Sequence, residues 1–270
     1  MENPAFTNSP AFSPDAALRV AQKGTTGAVV LDRARLAEFI APAEDDPAER
    51  MSYEDTIRKA GIAFLAMLAA AAIAWTVPQV TIPALIAAFV LSMINAARPT
   101  PSRVLILSYA AAEGLFVGGI SSTFSRIWDG IVPIAVFGTF AVIGVTLLLF
   151  LNGKVRTSPR ATRIFFAALV GYLGFSLVNL ALIVTGVTDS MFGLRDLAIG
   201  PVPLGVPLGI LVVVLGAYSL VMVFEQIQYG VETRQRRIHG WTGAFGIVVT
   251  VVWLYLEILR LLTWFSPRND

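Results

Sequence analysis

Cysteine is absent from all 270 residues and histidine occurs once, at His239. The first absence removes disulfides, thiolate metal sites and cysteine nucleophiles. The second removes any histidine metal cluster, and His239, lying among basic residues of a connection, is expected to be a solvated loop residue. Charge is also scarce, at 14% Asp, Glu, Lys and Arg against the roughly 25% usual in soluble domains. No H-E-x-x-H, Walker or dinucleotide-binding pattern occurs. Ser108, Ser176 and Ser219 have no membrane-embedded His or Lys to activate them, so an enzyme is not expected. Residues 1–14 lack a basic n-region and an apolar core, so no cleavable signal peptide is expected and insertion falls to the first span. The net charge of +2 does not form one basic stripe, and nucleic acid is not an expected partner.

What remains is strongly apolar, with 56% hydrophobic residues and a mean hydropathy of +0.73. Residues 1–58 differ from the rest: Pro4, Pro10, Pro14, Pro42 and Pro47 interrupt polar sequence beside the acidic Glu44, Asp45, Asp46 and Glu49. They are expected to form a disordered cytoplasmic tail, with a doubled Pro-Ala-Phe at Pro4 and Pro10 and room for one short amphipathic helix over Leu31–Ile40. Ser52 followed by Asp55, with Glu54 between them, is a capping pattern that marks a helix start.

Seven apolar segments follow, at about Ala60–Val77, Val80–Ala97, Val104–Phe124, Ile131–Leu151, Ile164–Val187, Val206–Tyr229 and Gly240–Phe265. Each is long enough to cross a hydrocarbon core of about 30 Å at roughly 1.5 Å per residue. The expectation is an all-α polytopic membrane protein: a seven-helix transmembrane domain over residues 59–266 and a short tail over 267–270. Sixteen of the twenty lysines and arginines fall in the tail and the even-numbered connections, leaving Arg126, Arg195, Arg260 and Arg268 on the other side. That split places the N-terminus in the cytoplasm and the C-terminus outside. Gly114 with Gly118, Gly205 with Gly209, and Gly240, Gly243 and Gly246 are small-residue patterns that permit close helix contact in lipid.

Three acids lie within the apolar stretches: Glu113, Glu225 and Glu257. A carboxylate in the bilayer costs about 2.5–3.5 kcal/mol even on insertion scales, so each needs a partner or a wet cavity. Glu113, mid-span, is either hydrogen-bonded glue in its neutral form or a functional group. Glu225 and Glu257, if they meet, form a carboxyl pair that shares a proton, closed when protonated, and becomes a hard oxygen site suited to Ca²⁺ once ionised. Their unequal distances from the Arg234 to Arg237 turn work against that meeting. The alternative for Glu257 is an ion pair with Arg260, three residues on along the same face. Asn179 in the fifth span can serve as an interhelical hydrogen bond or a pore ligand.

These residues resemble the transmembrane Bax inhibitor motif family, most closely its actinobacterial-type members. The likeness rests on Tyr53-Glu-Asp-Thr-Ile-Arg-Lys59, on Trp75, on Glu113-Gly114, on Glu225 with Ile227 and Gly230-Val231, and on the run from Val251 through Trp253, Tyr255, Glu257 and Arg260 to Leu262. It implies a seven-helix fold whose last helix is central and a pH-sensitive calcium leak gated by two acids, here Glu225 and Glu257, with Glu standing where Asp is common. Glu113, Asn179 and Arg260 are the expected supporting polar residues. Expected partners are membrane lipid, Ca²⁺ or another cation, and in the alternative reading a membrane protein such as a quality-control protease bound by a non-conducting regulator. No cofactor is expected beyond such an ion, and the expected location is a bacterial plasma membrane.

Overall fold

The computed structural model describes residues 49–188 and 190–266. The Pro-Ala-Phe repeat, the Leu31–Ile40 helix and the 267–270 tail lie outside the described residues. Seven helices are long and apolar enough to cross a membrane: α1 (Tyr53–Thr76), α2 (Thr81–Ala97), α3 (Arg103–Ile127), α4 (Ile131–Leu151), α5 (Pro159–Val184), α6 (Gly205–Glu232) and α7 (Gly240–Leu262). The expected spans and these helices correspond one to one. The protein is a seven-helix multi-pass membrane protein. Among the described residues, strand structure is confined to an isolated Arg50 to Arg236 bridge and a two-residue pair, β1 (Ala198–Ile199) with β2 (Val202–Pro203). The most buried helix is α7, with 61% of its apolar stretch inside the protein against 6% for α5, as a central last helix requires.

The chain falls into two compact units. Among the described residues, one takes in 49–123 and Met222–Thr250; the other takes in Phe124–Val221 and 251–266. They are called here the N-terminal and C-terminal units.

In the N-terminal unit, α1 starts where the capping pattern places it. Ser52 is extended, and its hydroxyl accepts from the Asp55 amide at 3.2 Å. Glu54 and Asp55 in the first turn complement the helix dipole. Asp55 then binds Lys59 at 2.5 Å and Arg237 at 2.8 Å, while Lys59 also donates to the Arg237 carbonyl. The stretch before α1 belongs to the unit rather than to a free tail, since Met51 is buried and donates its amide to the Gln235 carbonyl at 2.7 Å. Gly240 sits tight against this cluster, where a Cβ would meet Thr56, Lys59 and Asp55. His239 departs from expectation. The turn of 3-10 helix over Arg237–His239 folds the short α6 to α7 connection inward, leaving His239 1% exposed.

The buried face of α1 is mostly alanine, with Ala60, Ala63, Met67, Ala70 and Ala74 inside. This lets α3 approach until Gly114 lies on the Met67 backbone and Gly118 on the Ala71 backbone, with no room for a Cβ at either. The small-residue pattern is therefore a helix contact, worth dispersion energy only because the two backbones touch.

In the C-terminal unit Gly205 and Gly209 of α6 play the same part, facing the Trp264 ring and the Leu261 side chain. Gly216 packs under Leu254 of α7. The connection between α5 and α6 runs over residues 185–204 and carries one turn of 3-10 helix, Gly193–Asp196. At about 20 residues it is far longer than the usual 2–8 between packed helices, a length that usually accompanies function.

Candidate functional site

The polar centre of the C-terminal unit is Glu257, 2% exposed on α7. It lies five residues before the end of that helix, about 7.5 Å along the axis. Both carboxylate oxygens are occupied. Oε1 accepts from Arg195 Nη1 at 3.1 Å. Oε2 accepts from the Tyr172 hydroxyl at 2.8 Å and from Arg260 Nη1 at 2.8 Å. The guanidinium of Arg195 also donates from Nη2 to the Tyr172 hydroxyl at 2.9 Å and to Ser176 Oγ at 3.5 Å, and it lies 5.3 Å from the Tyr172 ring centroid and 5.7 Å from that of Phe175. Arg260 Nη1 adds a 3.3 Å bond to the same hydroxyl. One carboxylate thus faces two guanidinium ions, so the cluster carries a net positive charge and as arranged repels rather than binds a metal cation. Its geometry meets the condition for a buried charge, a partner plus hydrogen bonds to the remaining lone pairs.

Arg195 reaches Glu257 because the loop is folded back onto α5. Gly193 takes φ +60°, open to glycine at little cost. Asn179 then holds both sides of the turn: its Nδ2 donates to the Phe192 carbonyl at 3.2 Å and its Oδ1 accepts from the Leu194 amide at 2.7 Å. A Cβ on Gly193 would strike Asn179 Oδ1 and Ile183. The turn exits with Arg195 directed inward, 4% exposed, and Asp196 exposed, accepting from the Phe192 amide and the Trp264 indole at 3.4 and 3.3 Å.

Of the residues expected at the site, Glu257 and Arg260 come together as the i to i+3 ion pair, and Asn179 bonds to loop backbone rather than to another helix. Glu113 and Glu225 belong to the N-terminal unit. Glu113 on α3 is half-buried and hydrogen-bonded by Tyr109, itself packed edge-on against Phe245 at 5.0 Å. Glu225 on α6 is half-buried. Among the described residues no cluster of three or more His, Asp or Glu side chains is arranged to hold a metal.

Sequence reasoning missed Arg195 and Tyr172. Arg195 was countable only as a loop cation, and the signal that singles it out is its place in a connection too long to be a mere link. Tyr172 looks like any span tyrosine, and nothing in its neighbours marks it.

A family model described as Bax inhibitor 1 like matches residues 3–267. No curated protein and no solved structure gives a match. With nearly the whole chain covered, and seven apolar helices of which the last is the most buried, this membrane protein belongs to the Bax inhibitor 1 like family.

Proposed function

We propose that the protein is a pH-sensitive cation leak pathway, calcium being the ion its family resemblance suggests, and that the clamp on Glu257 holds the closed state. The observation that carries this reading is the origin of Arg195: one of the two counter-ions of a buried span carboxylate comes from a loop, not from a packed helix. The turn that carries Arg195 is fixed by Asn179 and Gly193 and by the contacts of Phe192 and Asp196 with Trp264, which a local rearrangement of the loop can release. Its departure frees an acidic oxygen ligand inside the span, where a passing cation meets it. Glu225 is the second acid of this reading.

The experiment is calcium flux into dye-loaded vesicles containing the purified protein, from pH about 5 to 8. Flux is expected to depend on pH. Arg195→Met is expected to raise it at neutral pH, and Glu257→Gln and Glu225→Gln are each expected to lower it and to remove most of its pH dependence. No flux above empty vesicles for the wild type and for Arg195→Met together overturns the reading. The saturation of both Glu257 oxygens also favours a second reading, a sealed bundle acting as a non-conducting regulator that binds other membrane proteins. The same null flux result selects it.

A further inference from the structure

Within the C-terminal unit a cavity of about 720 Å³ lies beside the clamp loop, separate from the Glu257 cluster and lined by none of its members. Its size falls in the range of roughly 300–1,000 Å³ typical of small-molecule sites. Three aromatic rings form its walls. Phe192 stands between Trp128 and Trp264, with centroids 6.1 and 5.4 Å away. Among the described lining residues the charged group is Asp196, and hydroxyls come from Thr188, Thr263 and two serines. The Thr188 hydroxyl is buried and has no hydrogen-bond partner among the described residues. Asp196 spends its carboxylate on two long bonds of 3.3 and 3.4 Å, leaving lone pairs to spare.

The chemistry of this lining narrows its ligand. Among the described residues no Lys, Arg or His lines the cavity, so they offer an anion or phosphate no counter-charge. A bare Ca²⁺ needs about six to eight oxygens, which one carboxylate and scattered hydroxyls do not supply. Aromatic faces carry negative potential, and three rings with one carboxylate make a site for a positive group with an organic body. The lining comes from the clamp loop and from the ends of α3, α5 and α7, the level at which tryptophans meet lipid headgroups.

We propose that this cavity binds an organic ammonium group, carried either by a free amine or by an ammonium lipid headgroup, with the rings caging the cation and Asp196 as its counter-ion. The test is quenching of tryptophan fluorescence in the purified full-length protein, titrated in detergent with choline and with ethanolamine, and in nanodiscs of phosphatidylethanolamine against phosphatidylglycerol. Saturable binding of the free amines identifies a soluble ligand; a response to phosphatidylethanolamine discs alone identifies the lipid. In either case Asp196→Asn and Trp264→Leu are expected to weaken binding about tenfold each, while Glu54→Gln, in the N-terminal unit and not a lining residue, leaves it unchanged. The neutral choline analogue 3,3-dimethylbutanol is expected not to bind, a control that needs no variant to fold. Equal binding of that analogue, unchanged affinity in Asp196→Asn, or no response to any amine or ammonium lipid overturns the proposal.

Discussion

Neutralising Glu257 should cost far more stability than removing either arginine, because the three charges are not equivalently buried. Glu257→Leu leaves the guanidinium of Arg195, whose side chain is 5% exposed, without its carboxylate. Breaking a buried pair in this way costs about 3–5 kcal/mol. Arg195→Met leaves the carboxylate still bonded to Arg260 and Tyr172, both at 2.8 Å, so the expected loss is that of one buried hydrogen-bonding partner, about 1–3 kcal/mol. Arg260 has a side chain 31% exposed and can turn toward water, and Arg260→Met should cost about 1 kcal/mol or less. The decisive measurement is the double variant Glu257→Leu with Arg195→Met, which takes both enclosed charges away together. Apolar replacement of a buried pair is often neutral or stabilising, so the double should be more stable than Glu257→Leu alone. Thermal unfolding of the purified protein in detergent, followed by helical circular dichroism, gives the four corners of the cycle. Losses that simply add, with the double variant the least stable of the four, would refute the claim that the carboxylate and Arg195 form one unit.

The loop gives a related expectation: Asn179→Leu strips bonds from the Phe192 carbonyl and the Leu194 amide and should cost about 1–3 kcal/mol, with faster proteolysis within residues 185–204. Gly193→Ala forces a side chain into φ +60° and onto Asn179, so it should loosen the same loop by about 1–3 kcal/mol without altering helix content. In the N-terminal unit Gly114→Val drives a side chain into the Met67 backbone, and folded yield from membranes should fall sharply while Gly144→Val, which meets nothing within 4 Å, changes little. Accessibility tags on the N-terminus and at Arg234 should report the cytoplasm and a tag after Asp270 the outside; finding both ends on one side contradicts the basic-residue asymmetry.

The fold was legible because its signals are long and additive. Seven apolar runs, a capping serine at Ser52 and glycines at helical spacing each point to one structure, and a few residues of error at a helix end changes none of them. The site was legible only in half. Glu257 stood out because a carboxylate in an apolar run is costly wherever it is, and Arg260 because three residues along a helix is a fixed geometry. Arg195 was hidden because its approach depends on a backbone reversal at Gly193 and on Asn179 holding that reversal, two contacts that have no periodicity to read. His239 failed for the same reason in the other direction: a residue in a polar connection looks wet until the connection folds back over it.

The order in which the clamp residues leave the ribosome bears on how so apolar a chain can carry Glu257 at all. Tyr172 and Arg195 are synthesised before α7, and Arg260 follows only three residues after the acid. When the last helix enters the bilayer, the donors for its carboxylate have already been made, so the charge need never wait in lipid for a partner. The exposed stage falls earlier, on Arg195, which can remain in a water-facing loop until α7 arrives. A chain stopped before Glu257 would keep a hydrated arginine and lose nothing, whereas a chain made with the acid but without Arg195 would bring the carboxylate into the bilayer with one donor fewer. Biogenesis defects should therefore concentrate in variants of the early residues, although the expensive charge is the late one.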